Sequence, residues 1–472
     1  MPQTFRPVFM NYFAKAISVH DHTVSVHDPE VLATEQMDAL VHDAVFGDDL
    51  TKAQARWLIW ELGQQVGVRP SSIHDLYMAR GCGECSGFTV PAINVRGSAY
   101  ATARSIFRTA NKLDAGAIIL EIARSEIAYT DQRPAEYVSV MLGAALREGF
   151  RGPVFIQGDH FQVNAKKYAA DPAAEVGAVE ALAREAIDAG FYNIDVDTST
   201  LVDISKAALD EQQRLNYEVC VALTRFIRKQ QPNGVNVSVG GEIGEVGSHN
   251  STVEELRAFM DGYTRTLGRG IEGLSKISVQ SGTSHGGVVL ADGSIADVKL
   301  DLNTLQELSR VARTEYGLAG AVQHGASTLP DDAFHHFPRT ETCEIHLATN
   351  FQNMLYDTLP SALREEIYAW LRENAKDERK ASDSDEQFFY KTRKKALGPF
   401  KKVLWSLPKD VCSNLDRLYD AKFEFLFTQL GVAGTKPIVA RSVKPPAIHR
   451  PRPGTPGFVT VTAAPDDATL SD

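Results

Sequence analysis

The chain is poor in cysteine, with five in 472 residues. So few cannot make a disulfide framework, and they fit a reducing compartment, so a cytoplasmic protein is expected. No apolar run approaches the ~20 residues that span a bilayer. The first residues, MPQTFRPVFMNYFAKA, have no basic region leading into an apolar core, so no signal peptide is read. An excess of positive charge is also missing: 49 Lys and Arg stand against 60 Asp and Glu, a formal net charge of −11. That argues against the basic face a nucleic-acid partner needs. What is present, 43% hydrophobic and 23% charged residues, is the composition of a folded globular protein.

Cys82 and Cys85 form a single C-x-x-C in RGCGECSGF. Without a second pair, two reduced thiols in a glycine-rich turn are the simpler reading, ahead of a metal or redox site. His20, His22 and His27 sit in the alternating stretch SVHDHTVSVHD, which reads as an exposed hairpin face before it reads as a metal trio.

Residues 1–80 otherwise carry helical periodicity, for example in TKAQARWLIWELGQQVG, and are expected to form a helical extension. From residue 88 the texture changes. Eight short β-rich runs follow, each ending in glycine or polar residues: FTVPAINV (88–95), AIILEIARS (117–125), VFIQGDH (154–160), YNIDVDTST (192–200), VNVSVGGEIG (235–244), KISVQSGTSH (276–285), AGAVQHGAS (319–327) and CEIHLATN (343–350). Helical patterns such as AYATARSIFRTANKL and LNTLQELSRVARTEY separate them. Strands with little in–out alternation, alternating with helices, indicate a parallel sheet covered on its outside. Eight such units predict a closed (β/α)8 TIM barrel over residues 81–360. No Gly-x-Gly-x-x-Gly follows the first run, which argues against an open dinucleotide-binding sheet. Residues 361–430 read as further helices, and 431–472 as a Pro-rich, flexible tail.

In a TIM barrel the catalytic groups lie at the C-terminal ends of the strands. Those ends carry Asn94, Ser125, Asp159-His160, Asp195 and Asp197, Glu242, His285 and His324. Three histidines from three strand ends can converge on one cation and leave a coordination position open, with Glu242 as a fourth or alternate ligand. Asp195 and Asp197 could cap the next helix or orient a ligand histidine. Adjacent strand residues point to opposite faces, so Asp159 and His160 can share the mouth only if the backbone turns, and Gly158 is the expected hinge. Glycine-containing turns at SHGG and QHGAS, the Ser327 hydroxyl and the ATN segment ending the last strand could cradle an anion.

VPAINV, ILEIARS, GDH, NIDVDTS, VGGEIGEVG, SGTSHGG, LDLNTLQEL and QHGAS occur over residues 86–357 in an order that resembles the class II, metal-dependent fructose-bisphosphate aldolase family. The resemblance implies that His160, His285 and His324 hold a divalent metal, Zn2+ first and Co2+, Mn2+ or Fe2+ as alternatives. Glu242 matches an alternate metal contact, and Asp159 the base that takes the proton of the substrate's C4 hydroxyl. Asn94 and Ser125 match the substrate pocket; Gly286, Gly325, Ser327 and Thr349 match the phosphate-binding loops. It implies reversible retro-aldol cleavage of a ketose phosphate such as fructose 1,6-bisphosphate to dihydroxyacetone phosphate and an aldehyde, by a homodimer or homotetramer.

Three departures bear on substrate. The family commonly has lysine four residues after the sixth-strand histidine, where this chain has Val289. The last strand typically reads Asn-x-Asp-Thr-Asp, and this chain has His346, Ala348, Thr349 and Asn350 there. The usual acidic pair is missing from GEVGSHNSTVEEL: Glu245 or His249 could replace it, while Glu254 and Glu255 are expected to begin the next helix behind Ser251 or Thr252. Alternatives are therefore a different sugar, such as tagatose bisphosphate, a regulatory barrel that keeps the metal, and a three-histidine metallohydrolase.

Overall fold

The computed structural model describes residues 12–244, 249–282, 290, 300–455 and 463–466. Strands β1 (Ile17–His20) and β2 (Thr23–Val26) form the antiparallel hairpin expected near the three histidines, all exposed on it. Helices Glu35–Phe46 and Asp49–Val66 follow, then β3 (Val68–Ser71). The eight runs read from the sequence each supply one strand: β4 (Val90–Asn94), β5 (Ile119–Ala123), β6 (Gly152–Gln162), β7 (Asn193–Asp197), β8 (Ser238–Glu242), β9 (Lys276–Val279), β10 (Ala321–Gln323) and β11 (Glu344–Leu347). Each pairs in parallel with the next, and β11 pairs with β4, which closes the (β/α)8 barrel.

Every residue of β4, β5, β7 and β8 is buried. With helices outside and side chains inside, neither face needs polar residues, so the sequence shows runs and not alternation. Helix boundaries follow local chemistry. In Pro172–Ala189 the Asp171 carboxylate accepts from the Ala174 N–H, proline occupies the first turn where a missing donor costs nothing, and Gly190 closes the helix at φ 115°.

β3 was not legible in the sequence. Its residues, VRPS, carry no apolar run; tertiary context makes the strand, which pairs in parallel with the first half of β6. Asn193, opening β7, fixes its end by accepting from the Ile73 N–H (2.8 Å) and donating to the Ser71 carbonyl (3.0 Å).

Helices Ser361–Asn374, Asp385–Thr392 and Lys409–Gln429 occupy the stretch read as helical. The last packs on the barrel, where the Tyr419 hydroxyl donates to the Phe351 carbonyl (3.0 Å) and Asp420 pairs with Arg108 (2.8 Å). The Pro-rich segment expected to be flexible is held over its described residues. Trp57 and Trp60 donate indole N–H groups to the carbonyls of Arg450 (2.9 Å) and Ile448 (2.6 Å), and Glu61 accepts from the Arg450 N–H (2.8 Å). The Arg450 guanidinium lies 3.3 Å from the Trp60 ring centre, a cation–π contact. No helix among the described residues is long and apolar enough to cross a membrane.

Candidate metal and catalytic centre

The site begins with an irregularity in β6. Gly158 pairs with Ile194 and Phe161 with Val196, so Asp159 and His160 together oppose the single residue Asp195. This β-bulge turns two consecutive side chains toward one space. The left-handed backbone falls on His160, at φ 38°, and not on Gly158 as the sequence suggested. Gly158 serves packing instead: a Cβ there would lie 2.4 Å from the Phe161 ring.

At the mouth the His160 and His324 ring centres are 4.3 Å apart. His160 Nδ1 lies 3.3 Å from Asp197 Oδ2 and 3.6 Å from Glu242 Oε2. One ligand atom from each of His160, Glu242 and His324 falls within 4.8 Å of the others, a spacing that fits one divalent cation. His285 and Gly286 lie outside the described residues. Asp197 orients His160, one of the roles weighed for it. It is itself held by the Gln162 amide (2.6 Å) and the Ser199 hydroxyl (2.7 Å). Asp195 does something else: it pairs with Lys276 inside the barrel (2.8 Å).

Asp159 sits beside the cluster, 4% exposed. The Asn94 amide donates to its Oδ2 (3.0 Å) and to Glu126 (2.8 Å), and His346 Nδ1 lies 3.1 Å from its Oδ1. Burial alone would raise its pKa, but the imidazoles of His160 and His346 hold the carboxyl well below the usual range. Burial likewise works against charge on His160, yet Asp159, Asp197 and Glu242 raise it well above an ordinary histidine. Burial, with Asp197 nearby, pushes Glu242 well up.

His346 was noted in the sequence only as a departure from the family pattern. The structure puts it at the centre of the site, its ring 4.0 Å from that of His324. Nδ1 faces Asp159 and Glu121, each at 3.1 Å, and Nε2 faces Glu344 at 2.7 Å. With carboxylates at both nitrogens the ring carries both protons. Beneath it Lys276, 1% exposed, reaches Gln157 (2.8 Å) as well as Asp195 and Glu344. Tyr77 donates to Glu344 from the far side. Burial next to Asp159 pushes Glu121 up to about 8. The signal for this charged interior was in the sequence: ILEIA, FIQG, NIDVD, KISV and EIHL each interrupt an apolar run with a polar residue.

The remaining residues separate. Ser125 is buried in the first turn of the helix after β5. Ser327 accepts from the Thr349 N–H (3.2 Å), joining the ends of β10 and β11, and Gly325 makes the preceding turn at φ 70°. Thr252 and Glu255 cap each other at the start of helix Val253–Leu267, so Glu254 and Glu255 begin a helix as expected, and His249 pairs with Glu255 (3.1 Å). Glu245 and Val289 lie outside the described residues.

The family model for fructose-bisphosphate aldolase class-II matches residues 83–402. The chain belongs to this family. No protein of curated function matches it by sequence. Among solved structures, this aldolase-family chain is similar to the fructose-bisphosphate aldolase of Campylobacter jejuni, at 16% identity and TM-score 0.47, covering 78% of this chain and 97% of that one. It is also similar to the fructuronate-tagaturonate epimerase UxaE of Cohnella laeviribosi, at 13% identity and TM-score 0.50, covering 74% and 82%. At its identity the likeness to the epimerase is one of fold.

Proposed function

We propose that the protein is a metal-dependent aldolase that cleaves a phosphorylated ketose reversibly between C3 and C4. The observation that carries this reading is a buried carboxylate, Asp159, set beside the imidazoles and carboxylate of His160, His324 and Glu242. His160, His324 and Glu242, with His285 from the resemblance, would hold the divalent ion, zinc in the first instance. When bound, it supplies Lewis-acid stabilisation of the negative charge that develops on the three-carbon fragment.

The chain's own residues do the rest. Asp159 takes the proton of the C4 hydroxyl as the bond breaks, and returns it in the condensation direction. Asn94 fixes the orientation of that carboxylate, and His346 holds it in the charged form a base requires. Asp197 sets the ring of His160. Ser327 and Thr349 would receive the phosphate, which must displace their mutual hydrogen bond.

The test is a coupled assay for triose phosphate released from D-fructose 1,6-bisphosphate and D-tagatose 1,6-bisphosphate by metal-loaded protein. Asp159→Asn is expected to lower kcat by about 10²–10⁴-fold while keeping its metal. Full turnover in that variant, or silence of the wild type on both sugars, contradicts the reading.

A further inference from the structure

A narrow crevice lies beside the mouth, where β4 and β11 end. Asn94 and Arg96 line one wall, Ala348 and Gln352 the other, and Tyr419 contributes to its lining. Gln352 is 6% exposed, and its Oε1 is buried with no hydrogen-bond partner among the described residues. Buried amide oxygens are almost always paired, so an orphan lining a crevice points to something that enters it.

The crevice also indicates what that is. The crevice is narrow, with Phe351, Leu355 and Tyr419 in its lining, and suits a group the size of a hydroxyl better than a phosphate. The Arg96 guanidinium is already engaged by the Glu126 carboxylate, so the wall is polar without being strongly cationic. Ala348, where the family pattern has aspartate, contributes only a methyl group. Asn94, on the opposite wall, shares its amide with Asp159 at 3.0 Å.

We infer that Gln352 is a specificity residue whose amide receives one hydroxyl of the sugar, seated next to the base. The inference rests on the aldolase reading for the class of ligand. An amide waiting for a hydroxyl rejects sugars that cannot present one there, because it is then left unpaired.

The test replaces Gln352 with leucine. Affinities for D-fructose 1,6-bisphosphate and D-tagatose 1,6-bisphosphate are measured by calorimetry on metal-loaded protein in an Asp159→Asn background, so that neither sugar is consumed. Gln352→Leu is expected to weaken at least one sugar tenfold or more, with metal content unchanged. Because the resting amide is unpaired, the ligand-free melting temperature is expected to stay level or rise. Affinities for both sugars within twofold of the parent would overturn the inference. So would a fall of several degrees in ligand-free melting temperature, which would mean that a structural water already satisfies the amide. The melting comparison needs no ligand, and cleavage by the wild type is scored separately, so failure of the aldolase reading is distinguishable from failure of this one.

Discussion

His346 lies within 3.6 Å of four carboxylates, those of Glu121, Asp159, Asp195 and Glu344, and shields them from one another. Glu121, Asp159 and Glu344 are each at most 4% exposed, and Lys276 is the other cation within the barrel to which Glu344 is bound. Removing one partner of a buried ion pair leaves uncompensated charge, at a cost of about 3–5 kcal/mol. His346→Asn, which restores the family's usual residue at this position, is therefore expected to lower stability by about 3 kcal/mol, read as a lower urea midpoint at pH 7. A divalent ion held by His160, His324 and Glu242 would remain. An unchanged midpoint would show that the imidazole is not the counter-ion described here. At this scale the sequence was legible at strand ends whose side chains the structure brings together, as for Asp159, His160 and His324. For Lys276 and Glu344 the polar residue in the strand was visible, but its meaning depends on which strands face one another across the barrel.

Among the elements, β6 and the helix after β3 make the sharpest predictions. The bulge that aims Asp159 and His160 relies on Gly158, since the Phe161 ring occupies the space of a Cβ. Gly158→Ala should cost about 1–3 kcal/mol of overpacking and loosen the metal, seen as faster loss to a chelator than from wild type. An equal rate would mean that the bulge tolerates the methyl group.

Helix His74–Gly81 starts with a histidine at the positive end of its dipole. Burial, and then Arg228, lower the His74 pKa from 6.5 to about 4. Glu272, 3.5 Å away, would favour the charged ring, but it is 49% exposed and screened by solvent, so burial prevails. A depressed histidine contributes stability that is full above pH 6.5 and lost as pH falls through about 4, a change of about 3 kcal/mol. His74→Gln should flatten the dependence of the urea midpoint on pH across that window, and an unaltered slope would refute the assignment. The same region shows why elements could escape the sequence: Val68–Ser71 has no pattern of its own and becomes a strand only against β6.

The whole molecule is a barrel whose eight strands were legible because burial on both faces leaves continuous apolar runs. What surrounds it was less so. The tail over Pro445–Arg452 read as flexible from its prolines, yet two tryptophans and Glu61 some 390 residues earlier bind its backbone. No local signal announces such long-range capture.

The account as a whole rests on strand ends far apart in the chain meeting around one ion. The most direct test is elemental analysis of purified protein, before and after His160→Ala. About one divalent ion per wild-type chain, and a several-fold loss in the variant at unchanged secondary structure, is the predicted result. Equal metal content in the two proteins, or none in a wild type that nonetheless cleaves a ketose phosphate, would contradict it.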